Sequence, residues 1–248
     1  MFQLNILEED KMARRKMKRD VVLLIDVEAT CWDHPTPEGM KSEIIEIGIS
    51  AVDYKTKEIR LKETIIVKPE YSTVSKFCNE LTTHTQDNLD EVGISFAEAC
   101  KILEDKFSTR DRIWMSWGEY DRKQFERDCE AKGVRYPFGR THLNMKPLFS
   151  FAYGISKDLG VGQALDHLGL EFEGTPHRGD DDAYNIARIL QKVFVPLMGN
   201  EKYGERVKKE HEILDEHLTD KYDKEQLKGN VARIINKTTP PNPDKSMR

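Results

Sequence analysis

The chain has 248 residues, 33% of them charged, with a hydrophobic fraction of 38% and a formal net charge of −5. That length holds one generous core, or one core with an appendage, and the acidic balance excludes a protein that coats nucleic acid by bulk charge. The cysteines Cys31, Cys78, Cys100 and Cys129 show no C-x-x-C spacing, and Cys31-x-x-His34 has no second pair to complete a zinc site, so free thiols in a reducing cytoplasm are expected.

Residues 1–20 end in the basic run Lys11–Arg19, which reads as a solvated arm, with nucleic-acid contact as the lesser alternative. It lacks the apolar core of a secretory signal, and no run in the chain is long enough to span a bilayer, so no membrane partner is expected. Val21-Val22-Leu23-Leu24-Ile25 follows, an unbroken apolar run that predicts a strand buried on both faces. Asp26 and Glu28 come next at i and i+2, so they leave this strand on one face. Two acids side by side in a dry site repel each other and lose hydration, and a divalent cation with oxygen ligands resolves both costs. The other reading is a strand that has run out into solvent at Asp26. The stretch alone leaves both open.

Cys31 to Ser42, with Pro35, Pro37 and Gly39, predicts a loop beside these carboxylates. Ile44 to Asp53 and Ile59 to Val67 predict strands joined by a turn over Asp53–Lys57. Ser95 and Glu98 form a capping box for a helix whose apolar face is Phe96, Ala99, Cys100, Leu103 and Phe107. A short strand is expected over Arg112–Trp117, a helix over Glu119–Lys132 stopping before Gly133, and a strand over Thr141–Met145. Val161, Ala164, Leu165 and Leu168 give a helix closed by Gly169, and the last core helix runs from Asp180 to Val195, ended by Pro196. Early strands in hairpins followed by strands alternating with helices describe an α/β layer fold with a mixed central sheet flanked by helices. Residues 200–248 shift to dense mixed charge with a thin apolar stripe, which predicts a charged helical extension and a flexible tail. The organisation is then an arm over 1–20, an α/β core over 21–199 and the extension over 200–248.

Two further acids head apolar stripes. Asp121 is followed at i+4 and i+8 by Phe125 and Cys129, and Asp182 by Ile186 and Leu190. Helix capping is the alternative for each, although Asp180 and Asp181 are better placed for that duty than Asp182. His177 lies in the loop feeding the helix of Asp182. A loop histidine is usually just exposed, but here an imidazole comes close to any metal the acid holds, and it suits activation of a water.

Asp26-x-Glu28, Asp121 and His177-x-x-x-x-Asp182 resemble, in order and residue type, the DEDDh 3′→5′ exonucleases of the RNase H-like proofreading superfamily. The segments Ile44-Ile45-Glu46-Ile47-Gly48, Phe77 to Gln86 and His177 to Arg188 are similar to the enhanced-RNAi and histone-mRNA 3′-end branch and its bacterial relatives, and the likeness covers about residues 20–196.

The resemblance implies a two-metal hydrolase using Mg²⁺ or Mn²⁺ that releases nucleoside 5′-monophosphates from single-stranded 3′ ends, RNA favoured and DNA open. Asp26 would bridge the metals, Glu28 and Asp182 would complete one site, Asp121 would support the other, and His177 would accept the proton of the attacking water. Ala29 and Thr30 would run along the terminal nucleotide, Leu81 and Thr82 would touch its base or sugar, and Tyr120 would stack on the base, core packing being the alternative for Tyr120. Glu46 is expected to be structural. The turn after Leu81-Thr82 departs from the branch, which has a glycine there where this chain has Thr83-His84. The extension over 200–248 is a route to self-association. A non-catalytic nucleic-acid scaffold on the same fold is the competing class, and an endonuclease is the weaker third.

Overall fold

The computed structural model describes residues 17–198, with side chains as far as Val193. Most of the basic arm and the extension and tail over 200–248 lie outside the described residues. The chain divides into two units, Met1–Val195 and Pro196–Arg248, and the core belongs to the first.

The apolar run is β1, Val21–Ala29, the middle strand of the sheet. Strand alternation sends its residues into two separate cores. Leu23, Ile25 and Val27 pack with Ile47, Ile49, Phe96, Leu103 and Phe125, while Val22 and Leu24 pack with Met115, Phe149, Leu165, Ile186 and Ile189. Each such side chain contributes about 1.5–3 kcal/mol when fully buried, which is why this strand anchors the fold. β2 (Ile44–Asp53) and β3 (Ile59–Ile66) extend the sheet antiparallel on one side. β4 (Trp114–Ser116) and β5 (His142–Asn144) extend it parallel on the other, in the order β3-β2-β1-β4-β5. The result is the mixed sheet with helices on both faces that the sequence predicts.

The helices are α1 (Lys76–Thr82), α2 (Gln86–Val92), α3 (Phe96–Phe107), α4 (Tyr120–Lys132), α5 (Met145–Tyr153), α6 (Val161–His167) and α7 (Gly179–Met198). The Ser95 hydroxyl accepts the Glu98 N–H at 3.2 Å, the N-cap half of the expected capping box. Three helices have no counterpart in the sequence reading: α1, α2 and α5, of 7, 7 and 9 residues. They are too short to show a period, and their signals are the caps Ser75, Thr85 and Asn144, which accept the N–H groups of Cys78, Asn88 and Lys146 at 2.9, 3.1 and 3.0 Å. A second difference lies at the end of α7, which passes Pro196 and continues to Met198. A proline removes one intrahelical bond without obliging the helix to end.

Two features of the sheet make room for a site. β1 pairs with β4 only through Leu23–Trp114 and Leu24–Met115, so the two parallel strands part beyond Leu24 and open a crevice at their carboxyl ends, where open α/β sheets bind ligands. On the other side Asp26 faces Gly48 in the ladder with β2, and the backbone of Gly179 closes on Gly48, whose nitrogen would lie 2.9 Å from a Cβ at position 179. This contact seats the start of α7 beside Asp26. A methyl group at position 48 would collide with the Gly179 carbonyl. Gly48→Ala is therefore expected to cost about 1–3 kcal/mol, as overpacking does, read as a lower midpoint in urea denaturation. An unchanged midpoint would contradict the close packing.

Candidate active site

Asp26 and Glu28 project from β1 on the face that Val22 and Leu24 fill further back. The Gly48–Gly179 contact brings the first turn of α7 over them. As a result the carboxylate oxygens of Asp26, Glu28 and Asp182 lie within 4.8 Å of one another, all three side chains partly buried. The reading of β1 as a strand that runs out into solvent is set aside by this convergence. Asp121 opens α4 in the crevice between β1 and β4, buried, and its Oδ1 accepts the Val27 N–H at 3.0 Å. It stands outside the three-acid group but acts on it, since its charge is among those that raise Asp26.

His177 is exposed and takes a left-handed backbone conformation, φ +63°, one turn before Asp182. Its N–H donates to Asp182 Oδ2 at 2.7 Å. The loop thus ties the imidazole's backbone to one of the acids while the ring remains accessible.

The electrostatics follow from crowding. Burial first, then the charges of Asp121, Asp182 and Glu28, hold Asp26 well above the usual carboxylate range. Burial, followed by Asp182 and Glu46, pushes Glu28 up to about 8, with Arg178 opposing. Burial takes Asp182 to about 7 against the pull of N–H groups from His177 and Arg178. Asp121 reaches about 6 through burial, moderated by the Val27 N–H. The donor set is oxygen only, burial raises all four acids and neighbouring negative charge adds to it at Asp26, Glu28 and Asp182, so a hard divalent cation fits the residues present.

Glu46 lies directly across from Glu28 on β2 and is fully buried, yet it behaves oppositely. Burial raises its pKa, but a bond from His84 Nε2 at 2.7 Å, one from the Thr64 hydroxyl at 2.8 Å and the nearby Arg178 outweigh it, so its pKa falls below the ordinary value. Arg178 Nε approaches Glu46 at 3.3 Å, and Arg178 also donates to the Thr83 hydroxyl at 3.3 Å. Thr83 itself has φ +64°, the conformation a glycine supplies freely and a β-branched residue adopts under strain. His177 is thus pinned on both sides: by Asp182 through its own N–H, and by Glu46 and Thr83 through Arg178. The sequence reading had Glu46 as structural and passed over this clamp. Its one visible signal was Thr83-His84 standing where the branch has a glycine.

Of the residues expected at a nucleotide, Tyr120 is 51% exposed and Leu81 is partly buried. Ala29, Thr30 and Thr82 are buried. The Thr30 hydroxyl bonds Ser72 at 2.9 Å and accepts the Glu43 N–H at 3.0 Å, and the Thr82 hydroxyl donates to the Cys78 carbonyl at 2.8 Å. The side chains free to meet a ligand are those of Leu81 and Tyr120.

A family model described as exonuclease matches residues 23–190. The chain is similar to human 3′-5′ exoribonuclease 1, with 31% identity over 185 residues that cover 71% of this chain and 52% of the human protein. It is similar to the 3′-5′ exonuclease Snipper of Drosophila melanogaster, 27% identical over 207 residues, covering 72% of this chain and 73% of Snipper. The solved nuclease domain of 3′hExo, a DEDDh family member bound to rAMP, matches with a TM-score of 0.64 at 28% identity, over 74% of this chain and 95% of that domain. The chain spans about half the length of the mammalian 3′-5′ exoribonuclease 1 proteins it matches.

The raised carboxylates have a measurable consequence. An acid whose pKa is higher in the folded chain binds its proton more tightly there, so it favours folding below the ordinary carboxylate range, and that contribution is lost as pH rises through the folded value. With Asp121, Asp182 and Glu28 at about 6, 7 and 8, the melting temperature of the metal-free chain is expected to fall as the pH rises between about 5 and 8. A saturating divalent cation should flatten the trend. Thermal melts in chelator and in metal check this, and a metal-free melting temperature that climbs over that window would contradict it.

Proposed function

The chain belongs to the exonuclease family, in the 3′-5′ exoribonuclease branch of its DEDDh members, and we propose that it removes nucleoside 5′-monophosphates one at a time from single-stranded 3′ ends, RNA in preference to DNA. The observation that carries this reading is the convergence of Asp26, Glu28 and Asp182 within 4.8 Å, with Asp121 at the edge of the group. In the proposal Asp26, Glu28, Asp182 and Asp121 would hold two divalent ions, Mg²⁺ or Mn²⁺, which when bound would supply the positive charge that an in-line displacement at phosphorus needs. Asp26, Glu28, Asp182 and Asp121 hold that charge in place and make it unfavourable for the site to stay empty. His177 accepts the proton of the attacking water, for which its exposed ring and tethered backbone suit it. Leu81 and Tyr120 meet the terminal nucleotide, and Ala29 contributes backbone rather than side chain.

The preference for RNA rests on the naming of the relatives as exoribonucleases. The same reading places the work in a reducing cytoplasm, in keeping with four cysteines that are all free. It assigns the reaction to residues 21–199 and leaves self-association to 200–248. No helix among the described residues is long and apolar enough to cross a membrane.

A pair of 5′-labelled RNA and DNA oligomers, incubated with Mg²⁺ or Mn²⁺, tests the proposal. The expected result is a ladder shortening one nucleotide at a time from the 3′ end, faster on RNA, and stopped by a 3′-phosphate. No shortening of either oligomer by folded protein would end it. Asp26→Asn should lower kcat by at least about 100-fold, since loss of even an outer partner of a metal site costs 10–100-fold. His177→Ala should lower kcat by about 10²–10⁴-fold at neutral pH with little change in KM, and a fully active variant would remove the histidine from its role. Arg178→Ala and Glu46→Gln should each reduce kcat by about 10-fold or more with KM nearly constant, and their combination should be less than multiplicative because the two side chains form one contact. Independent effects would contradict the clamp.

A further inference from the structure

Beside the carboxylates lies a second concavity whose residues, Tyr120 apart, the reaction as described does not use. It is a groove of about 470 Å³ between the loop before β2 and the outer face of α4, and Tyr120 is in its wall. That volume falls within the roughly 300–1,000 Å³ of sites that hold small organic groups. Tyr120 immediately precedes Asp121, so the groove and the carboxylate site share a boundary at the first turn of α4.

The lining has two exposed aromatic rings, Tyr71 at 46% and Tyr120 at 51%. A cation stands over each: Lys132 Nζ is 4.6 Å from the Tyr71 ring centre, and the Arg127 guanidinium 5.9 Å from that of Tyr120. Lys41 lies exposed on the loop side. Two acids, Glu43 and Asp128, also border the groove, but their oxygens are engaged from within. Glu43 accepts the N–H groups of Glu70 and Tyr71 at 2.9 and 2.7 Å and pairs with Lys132. Asp128 accepts the Ile44 N–H and the Gln124 amide, each at 2.8 Å. With Glu43 answering Lys132 and Asp128 turned inward, the exposed charges of the lining are those of Lys41 and Arg127, both positive. Aromatic faces interleaved with cations are the chemistry that holds successive bases and phosphates of a single strand without reading their sequence.

We infer that this groove binds the single-stranded segment immediately 5′ of the nucleotide being removed, with Tyr71 as a stacking platform and Lys41 and Arg127 facing its phosphates. The inference rests on the exonuclease reading for the direction of the strand. It explains how a chain of net negative charge can hold an anionic polymer: Lys41 and Arg127 give a local positive track beside Tyr120, and bulk charge is not required.

The test is the dependence of affinity on length, measured on the full chain by fluorescence anisotropy in Ca²⁺, with labelled oligomers of one to six nucleotides. In the native protein, affinity should rise from one nucleotide to about three or four. In Tyr71→Ala that gain should shrink by about 5- to 100-fold, the range seen when a base loses its aromatic platform. Lys41→Glu, at an exposed loop position, should lessen the same gain and lower its salt dependence, and it serves as the second variant if Tyr71→Ala does not fold. Length dependence that survives in folded Tyr71→Ala or Lys41→Glu would overturn the inference, as would a groove that prefers a tyrosine-free peptide to the oligomer. Exchange of Ca²⁺ for Mn²⁺ separates the two readings. If no oligomer shortens yet affinity still depends on Tyr71 and Lys41, the exonuclease proposal falls and the groove stands.

Discussion

The structure depends on mutual repulsion among acids at the end of a buried strand. β1 is held from both faces by two apolar cores, so Asp26 and Glu28 cannot move apart or turn outward without disturbing the strand that both cores share. Asp182 and Asp121 arrive from helices fixed just as firmly, by the Gly48–Gly179 contact and by the Val27 N–H. Four carboxyl groups thus crowd a space in which burial already disfavours charge. All four have raised pKa values, Asp121 through burial and the other three through burial together with neighbouring negative charge. A fold that spends stability in this way has a site that is relieved by a cation, and its chemistry follows from that relief.

Around this charge the chain builds a rigid frame, and the rigidity has its own cost. Thr83 and His177 both sit at positive φ without being glycine, and Arg178 links the turn of one to the loop of the other. Glu46 makes the link possible. Placed across from Glu28, it is a fifth negative charge that raises Asp26, Glu28 and Asp182, and because His84, Thr64 and Arg178 stabilise that charge it also serves as an anchor. Neighbouring carboxyls on adjacent strands therefore have opposite duties, set by what each can bond. The loop that carries the histidine is held by contacts to α7, β2 and the α1–α2 turn together, which fixes the backbone from which the imidazole projects.

Much of this was legible in the sequence. The apolar run before Asp26 and Glu28, and the stripes after Asp121 and Asp182, are periodic, and period is what reports which way a side chain faces. The capping box at Ser95 and the mixed order of hairpins and crossovers were readable for the same reason. The short helices α1, α2 and α5 were not, because two turns carry no period and their caps lie in polar stretches that also suit loops. The nucleotide contacts were legible only as positions. That Thr30 buries its hydroxyl on Ser72 and Glu43 is decided by tertiary hydrogen bonds, which no local pattern encodes, while Thr82 turns its hydroxyl back onto the Cys78 carbonyl of a helix too short to be read. The groove beside Tyr120 joins residues from a loop, from the segment after β3 and from α4, so only the fold reveals that Tyr71, Lys41 and Arg127 are neighbours.

The most direct measurement of the central claim is calorimetric titration of Mn²⁺ into the metal-free chain at pH 7 in two buffers of different ionisation enthalpy. If crowded carboxyls hold protons that a cation must displace, binding will saturate and release protons, and Asp26→Asn will weaken both the binding and the release. Saturable binding without proton release, or binding that Asp26→Asn leaves intact, would contradict the account.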